Sequence, residues 1–232
     1  MYRELDAARI TATAVQLGRR ITERFPDSSL SRLSADLCVM AEDSARRADR
    51  LRRPHWPVRI GVGAAVVVLL AVAVIAALSL IQVQGGAASL SDLVQGLEAA
   101  INDVIFLGLA IFFLVTLESR LKRRIVLQGL NELRSIAHII DMHQLTKDPD
   151  HTIEPRVPTA SSPSRTMTRI ELARYLDYCS ELLAITSKLA ALHLQSSNES
   201  VVLDSVNGIQ ALTVGLSGKI WQKIMILDQI RG

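Results

Sequence analysis

The chain has 232 residues, of which 49% are hydrophobic and only 4% aromatic, and its formal net charge at pH 7 is +3. Its apolar content is mainly Ala, Leu, Val and Ile, which is typical of membrane helices and of aliphatic helical bundles. The basic pI of about 9.1 does not indicate nucleic-acid binding, because the basic residues cluster beside two apolar runs and no aromatic residues interleave with them.

Residues 1–53 predict a helical hairpin. Apolar residues recur at spacings of three and four on a first helix, at Ile10, Ala14, Leu17 and Ile21. Pro26 ends this helix, and Asp27, Ser28 and Ser29 offer N-caps for a second one. The second stripe is Leu30, Leu33, Leu37, Met40, Ser44, Ala48 and Leu51. Acidic and basic side chains share the polar face, which favours packing against protein over lying on lipid.

The stretch from Ile60 to Val83 carries no charged side chain. As a helix it is longer than the ~30 Å hydrocarbon core of a bilayer, so it predicts a first membrane span. Trp56 stands just before it, as an interfacial anchor does. Small residues at i and i+4 would let this span approach another helix closely; they are Gly61 with Ala65, and Ala73 with Ala77.

A second, shorter span is predicted at about 102–118, within the region 54–120 that holds the whole hairpin. It follows a short amphipathic helix expected on the outer surface, beginning near Ser89. Glu98 and Asp103 would lie at the outer mouth if several copies formed a channel. A hydrated pore also needs a polar face along a span, and Val104–Val115 offers none.

Basic residues flank both predicted spans, and no Lys or Arg occurs between Gln84 and Asp103. The positive-inside rule places basic flanking residues on the cytoplasmic side of a membrane. We therefore expect both termini in the cytoplasm, and both spans in an inner or plasma membrane. The same side chains can contact anionic lipid headgroups; they are Arg52, Arg53 and Arg59 before the first span, and Arg120, Lys122, Arg123 and Arg124 after the second.

Residues 121–232 predict further cytoplasmic helices. A long helix to Leu145 offers Ile125, Leu130, Leu133, Ile136, Ala137, Ile140 and Leu145 for burial. A Pro- and Ser-rich linker follows at 146–166. Thr168 and Glu171 form a capping box for the next helix, whose apolar residues cover more than one side. The final helix carries Val202, Val206, Ile209, Leu216, Ile220 and Leu227, with Gly208, Gly215 and Gly218 as points of close contact, kinking or breakage.

The polar candidates for chemistry are isolated. His138 and Asp141 share a helical face but lack a third metal ligand, and His193 stands alone between leucines. Cys38 and Cys179 fit buried thiols in a reducing compartment. We therefore expect no catalytic, cofactor or metal site. Trp221 fits either a partner-binding anchor or a core residue.

The sequence predicts an all-α membrane protein, with a two-helix transmembrane hairpin and a cytoplasmic helical bundle built from both termini. The expected function is that of a membrane-anchored interaction or scaffold protein that self-associates or docks cytosolic partners. The alternative is an oligomeric ion channel or membrane-permeabilising effector. A membrane enzyme is the third class, and it would require Glu181, Asp141 or the histidines to converge.

Overall fold

The computed structural model describes residues 5–52, 56–83, 90–147, 149, 167–196 and 199–229. These residues are almost entirely helical and contain no strand, which confirms the all-α prediction. Six helices and one 3₁₀ turn follow in order: α1 (Ala7–Arg24), α2 (Ser29–Arg52), α3 (Trp56–Val83), α4 (Leu90–Leu145), α5 (Arg169–Leu192), the 3₁₀ turn (His193–Ser196) and α6 (Ser200–Gln229). Most of the linker predicted at 146–166, and Ser89, lie outside the described residues.

The chain divides into two compact units. One comprises Met1–Arg52 and Arg123–Gly232, and we call it the helical bundle; it contains α1, α2, α5, α6 and the last part of α4. The other comprises Arg53–Lys122, and we call it the apolar unit; it contains α3 and the first part of α4. The core of buried side chains lies in the helical bundle.

The first two helices begin and end on local hydrogen bonds. The Asp6 carboxylate accepts from the backbone N–H of Ala8 at 2.9 Å and so caps α1. Asp27 has φ of 57°, a left-handed conformation, in the turn after Pro26. The Ser28 hydroxyl then accepts from the Ser31 N–H at 3.0 Å at the start of α2. The predicted N-cap is thus Ser28, and all four residues of the predicted α1 stripe are buried.

Helix α5 is the central helix of the bundle. Its predicted capping box is present, because the Thr168 hydroxyl accepts from the Glu171 N–H and the Glu171 carboxylate accepts from the Thr168 N–H. Half of its 24 residues are buried, more than one helical face can supply. The prediction that α5 is covered on more than one side is therefore confirmed.

Helix α4 is continuous over 56 residues. The expected short amphipathic helix and the second predicted span are therefore parts of one helix. Its inner face in the bundle consists of Val126, Leu130, Leu133, Ile136, Ala137 and Ile140. The predicted burial of Ile125 and Leu145 is wrong, because these side chains are 41% and 62% exposed. A helix turns about 100° per residue, so Val126 rather than Ile125 lies in line with Leu130.

Helix α6 runs unbroken through its three glycines. All six residues of its predicted stripe are buried. A Cβ at Gly208 would lie 3.2 Å from the Arg134 guanidinium of α4, so this glycine permits a close approach. A Cβ at Gly215 would meet none of the described atoms within 4 Å.

Replacing Gly215 with alanine is expected to stabilise the bundle. The position is an exposed helix interior, where alanine is favoured over glycine by about 0.5–1 kcal/mol. Urea unfolding of the full chain in detergent measures the gain. Gly129→Ala is the matched control, since its Cβ would lie 2.9 Å from Arg47 Nη1 and should cancel the gain. Loss of stability in Gly215→Ala would contradict the expectation.

Candidate functional site

The apolar part of α4 is the first candidate site. Among the described residues, one helical stretch, Ile101–Leu145, is long and apolar enough to cross a membrane, and none of its apolar window is buried within the protein. On α3 the described side chains form a shorter apolar stretch, Ile60–Val72, and several later side chains, including Ala73 and Ala77, are outside the description. The second predicted span thus coincides with the stretch of sufficient length, and the two-span hairpin stays a prediction.

Large apolar side chains are exposed over more than one face of this part of α4. Phe106, Phe112 and Phe113 are 71%, 61% and 59% exposed, and Val104 and Val115 are similar. Apolar surface gains roughly 25 cal/mol per Å² when it leaves water. A helix that exposes so broad an apolar surface is matched to lipid or to other apolar helices.

Basic residues follow this segment on α4. The Arg120 guanidinium lies 4.4 Å from the centre of the Phe113 ring, as in a cation–π contact. Lys122 and Arg124 lie on the same helix. Arg123 forms an ion pair with Glu199 at 3.5 Å, so it is engaged within the bundle. A second group of basic and aromatic residues precedes the first predicted span.

Of those residues, Trp56 begins α3 and is 65% exposed, which suits an interfacial position. Arg52 ends α2 and Arg59 lies in α3, while Arg53 lies outside the described residues. Gly61 is exposed and Ala65 is half-buried on α3. No described atom lies within 4 Å of a Cβ built at Gly61.

The two acidic residues proposed for a pore mouth are exposed on α4. Glu98 and Asp103 are separated by five positions, which places them about 140° apart around the helix axis. They therefore do not share one face of α4. A single ring of charge would use one of them and not both.

An exposed apolar stripe on α6 is the second candidate site. Val214, Trp221 and Met225 are 71%, 62% and 43% exposed, and their spacing of seven and four places them on one face. Trp221 is thus a surface residue, and the core alternative is wrong. We call these three residues and Gly218 the α6 stripe.

A shallow groove between α1 and α5 has polar sides and an apolar floor. Its volume is about 370 Å³, and its floor includes Ile10, Leu17 and Ile185. The Arg20 guanidinium donates to the Glu181 carboxylate at 3.1 Å across the two helices. Arg20 also lies 5.4 Å from the centre of the Tyr178 ring. Glu181 therefore joins helices here.

Asp141, His143 and Cys179 have structural environments. The Asp141 carboxylate accepts from Gln144 Nε2 at 2.6 Å, and His143 Nδ1 lies 3.3 Å from the Ser29 hydroxyl. Burial raises the pKa of the Cys179 thiol to about 12, which makes it a poor nucleophile. No group of three potential metal ligands occurs within the part of the chain that the structure describes.

A partly buried polar junction was not predicted from the sequence. Arg47 Nη1 of α2 donates to Glu132 Oε2 of α4 at 2.9 Å. The side chain of His193, in the 3₁₀ turn, is fully buried. A Cβ at Gly129 would lie 2.9 Å from Arg47 Nη1 and 3.4 Å from His193 Cε1, so all three residues meet over this glycine. We call Arg47, Gly129, Glu132 and His193 the junction.

Comparison of the chain with protein-family models, with curated proteins and with solved structures found no match.

Proposed function

We propose that the chain is a membrane-anchored interaction protein, whose helical bundle associates with further copies of itself or with cytosolic partners. The apolar segment of α4 supports the anchor, because its exposed valine and phenylalanine side chains suit lipid. Arg120, Lys122 and Arg124 then stand where basic residues hold the cytoplasmic end of a span. On this proposal α3 supplies the other span, and both termini are cytoplasmic.

The α6 stripe is the observation that carries the interaction role. The bundle buries eight residues of α6, from Val202 to Leu227, yet leaves Trp221 largely exposed. Exposed aromatic and methionine side chains are enriched where proteins meet partners. Val214 and Met225 extend the apolar surface on both sides of Trp221.

Neither an enzyme nor a hydrated pore is favoured by the described side chains. Glu181 pairs with Arg20, and Asp141 accepts from Gln144, so both carboxylates have structural partners. On α4 the absence of a polar side chain between Val104 and Val115 favours an anchor over a water-filled channel.

Self-association through the α6 stripe is tested by placing charge on it. Val214→Lys combined with Trp221→Lys is expected to convert an oligomer into a monomer, because both ammonium groups would have to be desolvated at the interface. Light scattering of the full chain in detergent gives the mass, and affinity capture reports cytosolic partners.

Val201→Lys is the matched control for this test. Val201 is also exposed on α6, at 46%, and lies about 200° around the helix from Trp221. It should leave the mass unchanged. An unmodified chain that is monomeric and captures no partner would overturn the proposed function.

A further inference from the structure

The junction brings a buried histidine together with an ion pair from two other helices. Arg47 comes from α2, Glu132 and Gly129 come from α4, and His193 begins the 3₁₀ turn after α5. The Arg47 and Glu132 side chains are 27% and 41% exposed, while His193 is fully buried. The junction is therefore open to water on the side of the ion pair and closed on the side of the imidazole.

Gly129 lets α4 approach the other two elements. A Cβ at this position would lie 2.9 Å from Arg47 Nη1, so the guanidinium would have to shift, and 3.4 Å from His193 Cε1, which is an ordinary contact. Because glycine costs about 1 kcal/mol relative to alanine inside a helix, its use on the buried face of α4 fits a place where backbone must pack closely. The guanidinium and the imidazole therefore both lie over the α4 backbone at Gly129.

Arg47 of α2 and Glu132 of α4 both act on the charge of the His193 ring. Arg47 disfavours a proton on the imidazole and Glu132 favours one. Helices α5 and α6 also pack against the 3₁₀ turn, and the charged residues that flank the turn along the chain are Lys188 and Glu199. Lys188 lines the groove between α1 and α5, and Glu199 pairs with Arg123.

We propose that the junction is a proton-operated latch, in which protonation of His193 releases α4 and the 3₁₀ turn from α2. A proton taken from water onto the ring would create a buried cation next to Arg47, while Glu132 already accepts from that guanidinium. Opening the junction would hydrate the imidazolium and separate the two cations. This device requires only the helical bundle and holds whether or not the chain spans a membrane.

A fall in pH favours whichever state of the junction, closed or open, binds protons more strongly. Burial first, and the Arg47 charge second, lower the pKa of His193 from 6.5 to about 4. The open state, with an ordinary pKa, therefore binds more protons between those values. The closed junction is fully stable above pH 6.5 and loses stability as the pH falls towards 4. At pH 5.0 the opening equilibrium should rise about 30-fold over its value at neutral pH.

Hydrogen exchange of the full chain in detergent at pH 7.5 and 5.0, corrected for the intrinsic pH dependence, tests the latch. We expect exchange to accelerate about 30-fold at pH 5.0 in the α4 segment around Gly129 and in the 3₁₀ turn. The amides at the amino-terminal end of α1 should not change. His193→Gln, which is neutral at both pH values, should abolish the acceleration.

Two further variants make the outcome decisive. His138→Gln removes an exposed histidine of α4 and should behave as the unmodified chain does. Arg47→Gln leaves Glu132 free to accept from an imidazolium, so it should shrink the acceleration, and it provides the test if His193→Gln fails to fold. Equal acceleration in the unmodified chain and these junction variants, or equal acceleration of every helix, would overturn the latch.

Discussion

Replacing both Leu109 and Phe113 with lysine is expected to move the carboxyl-terminal end of the chain to the opposite side of the membrane from the amino-terminal end. The two residues lie near the middle of the apolar segment of α4 and are 58% and 59% exposed. Each lysine at the centre of a span costs about 2.5–3.5 kcal/mol on insertion. The pair should prevent α4 from inserting, while α3 still anchors the chain.

The measurement uses a reporter that is active on one side of the membrane, fused to either end of the chain. In the unmodified protein both ends should report the cytoplasm. Val214→Lys with Met225→Lys is the control, because it introduces the same charge into the bundle and should not change the topology. Termini on opposite sides in the unmodified protein would rule out the two-span hairpin.

Replacing Leu183 with alanine is expected to destabilise the bundle by about 2–5 kcal/mol, because it removes a buried side chain and leaves a cavity. Leu183 lies on α5 and has no exposed surface. Since α5 packs against α1, α2 and α6, no single neighbour can close the gap. Urea unfolding of the detergent-solubilised chain, followed by circular dichroism, measures the loss.

Leu203→Ala is the matched control for the cavity. This leucine lies on α6 and is 46% exposed, so its truncation should change the free energy of unfolding by less than about 0.5 kcal/mol. Equal losses for the two variants would show that α5 is not the centre of the core.

The buried faces of the single helices could be predicted because burial follows local spacing. Ile10 and Ile21 on α1, and Val202 and Leu227 on α6, lie where the period of 3.6 residues places them. The capping box of Thr168 was predictable for the same reason, since its two partners lie three residues apart.

The junction could not be predicted in this way, because its contacts join distant parts of the chain. Arg47 and Glu132 are 85 positions apart, and each alone resembles any surface charge. The useful signal was Gly129. A glycine on the buried face of α4, between Val126 and Leu130, marks a close approach, although it does not identify the residues that make it.

The continuity of α4 was also missed. A change from amphipathic to apolar composition near Ile101 suggested a boundary between two helices. The composition of a helix decides whether it lies in water or in an apolar environment. A helix is ended or kinked by features that disturb its backbone hydrogen bonds, such as proline. No proline occurs between Ser89 and Leu145, so one helix passes through both compositions.

The helices of the bundle are synthesised in an order that leaves its amino-terminal part without its packing partner α5 for a time. Helices α1 and α2 are synthesised before α5, which completes their buried faces, and the contact of Arg20 with Glu181 closes a loop of 161 positions. Such long-range contacts form slowly, since the entropy of loop closure is lost before they can stabilise the fold. The amino-terminal hairpin must therefore stay incompletely covered throughout synthesis of the segment between. Until α5 is synthesised, the apolar surface that α1 and α2 bury against it stays exposed to water, and such transiently exposed surface favours aggregation.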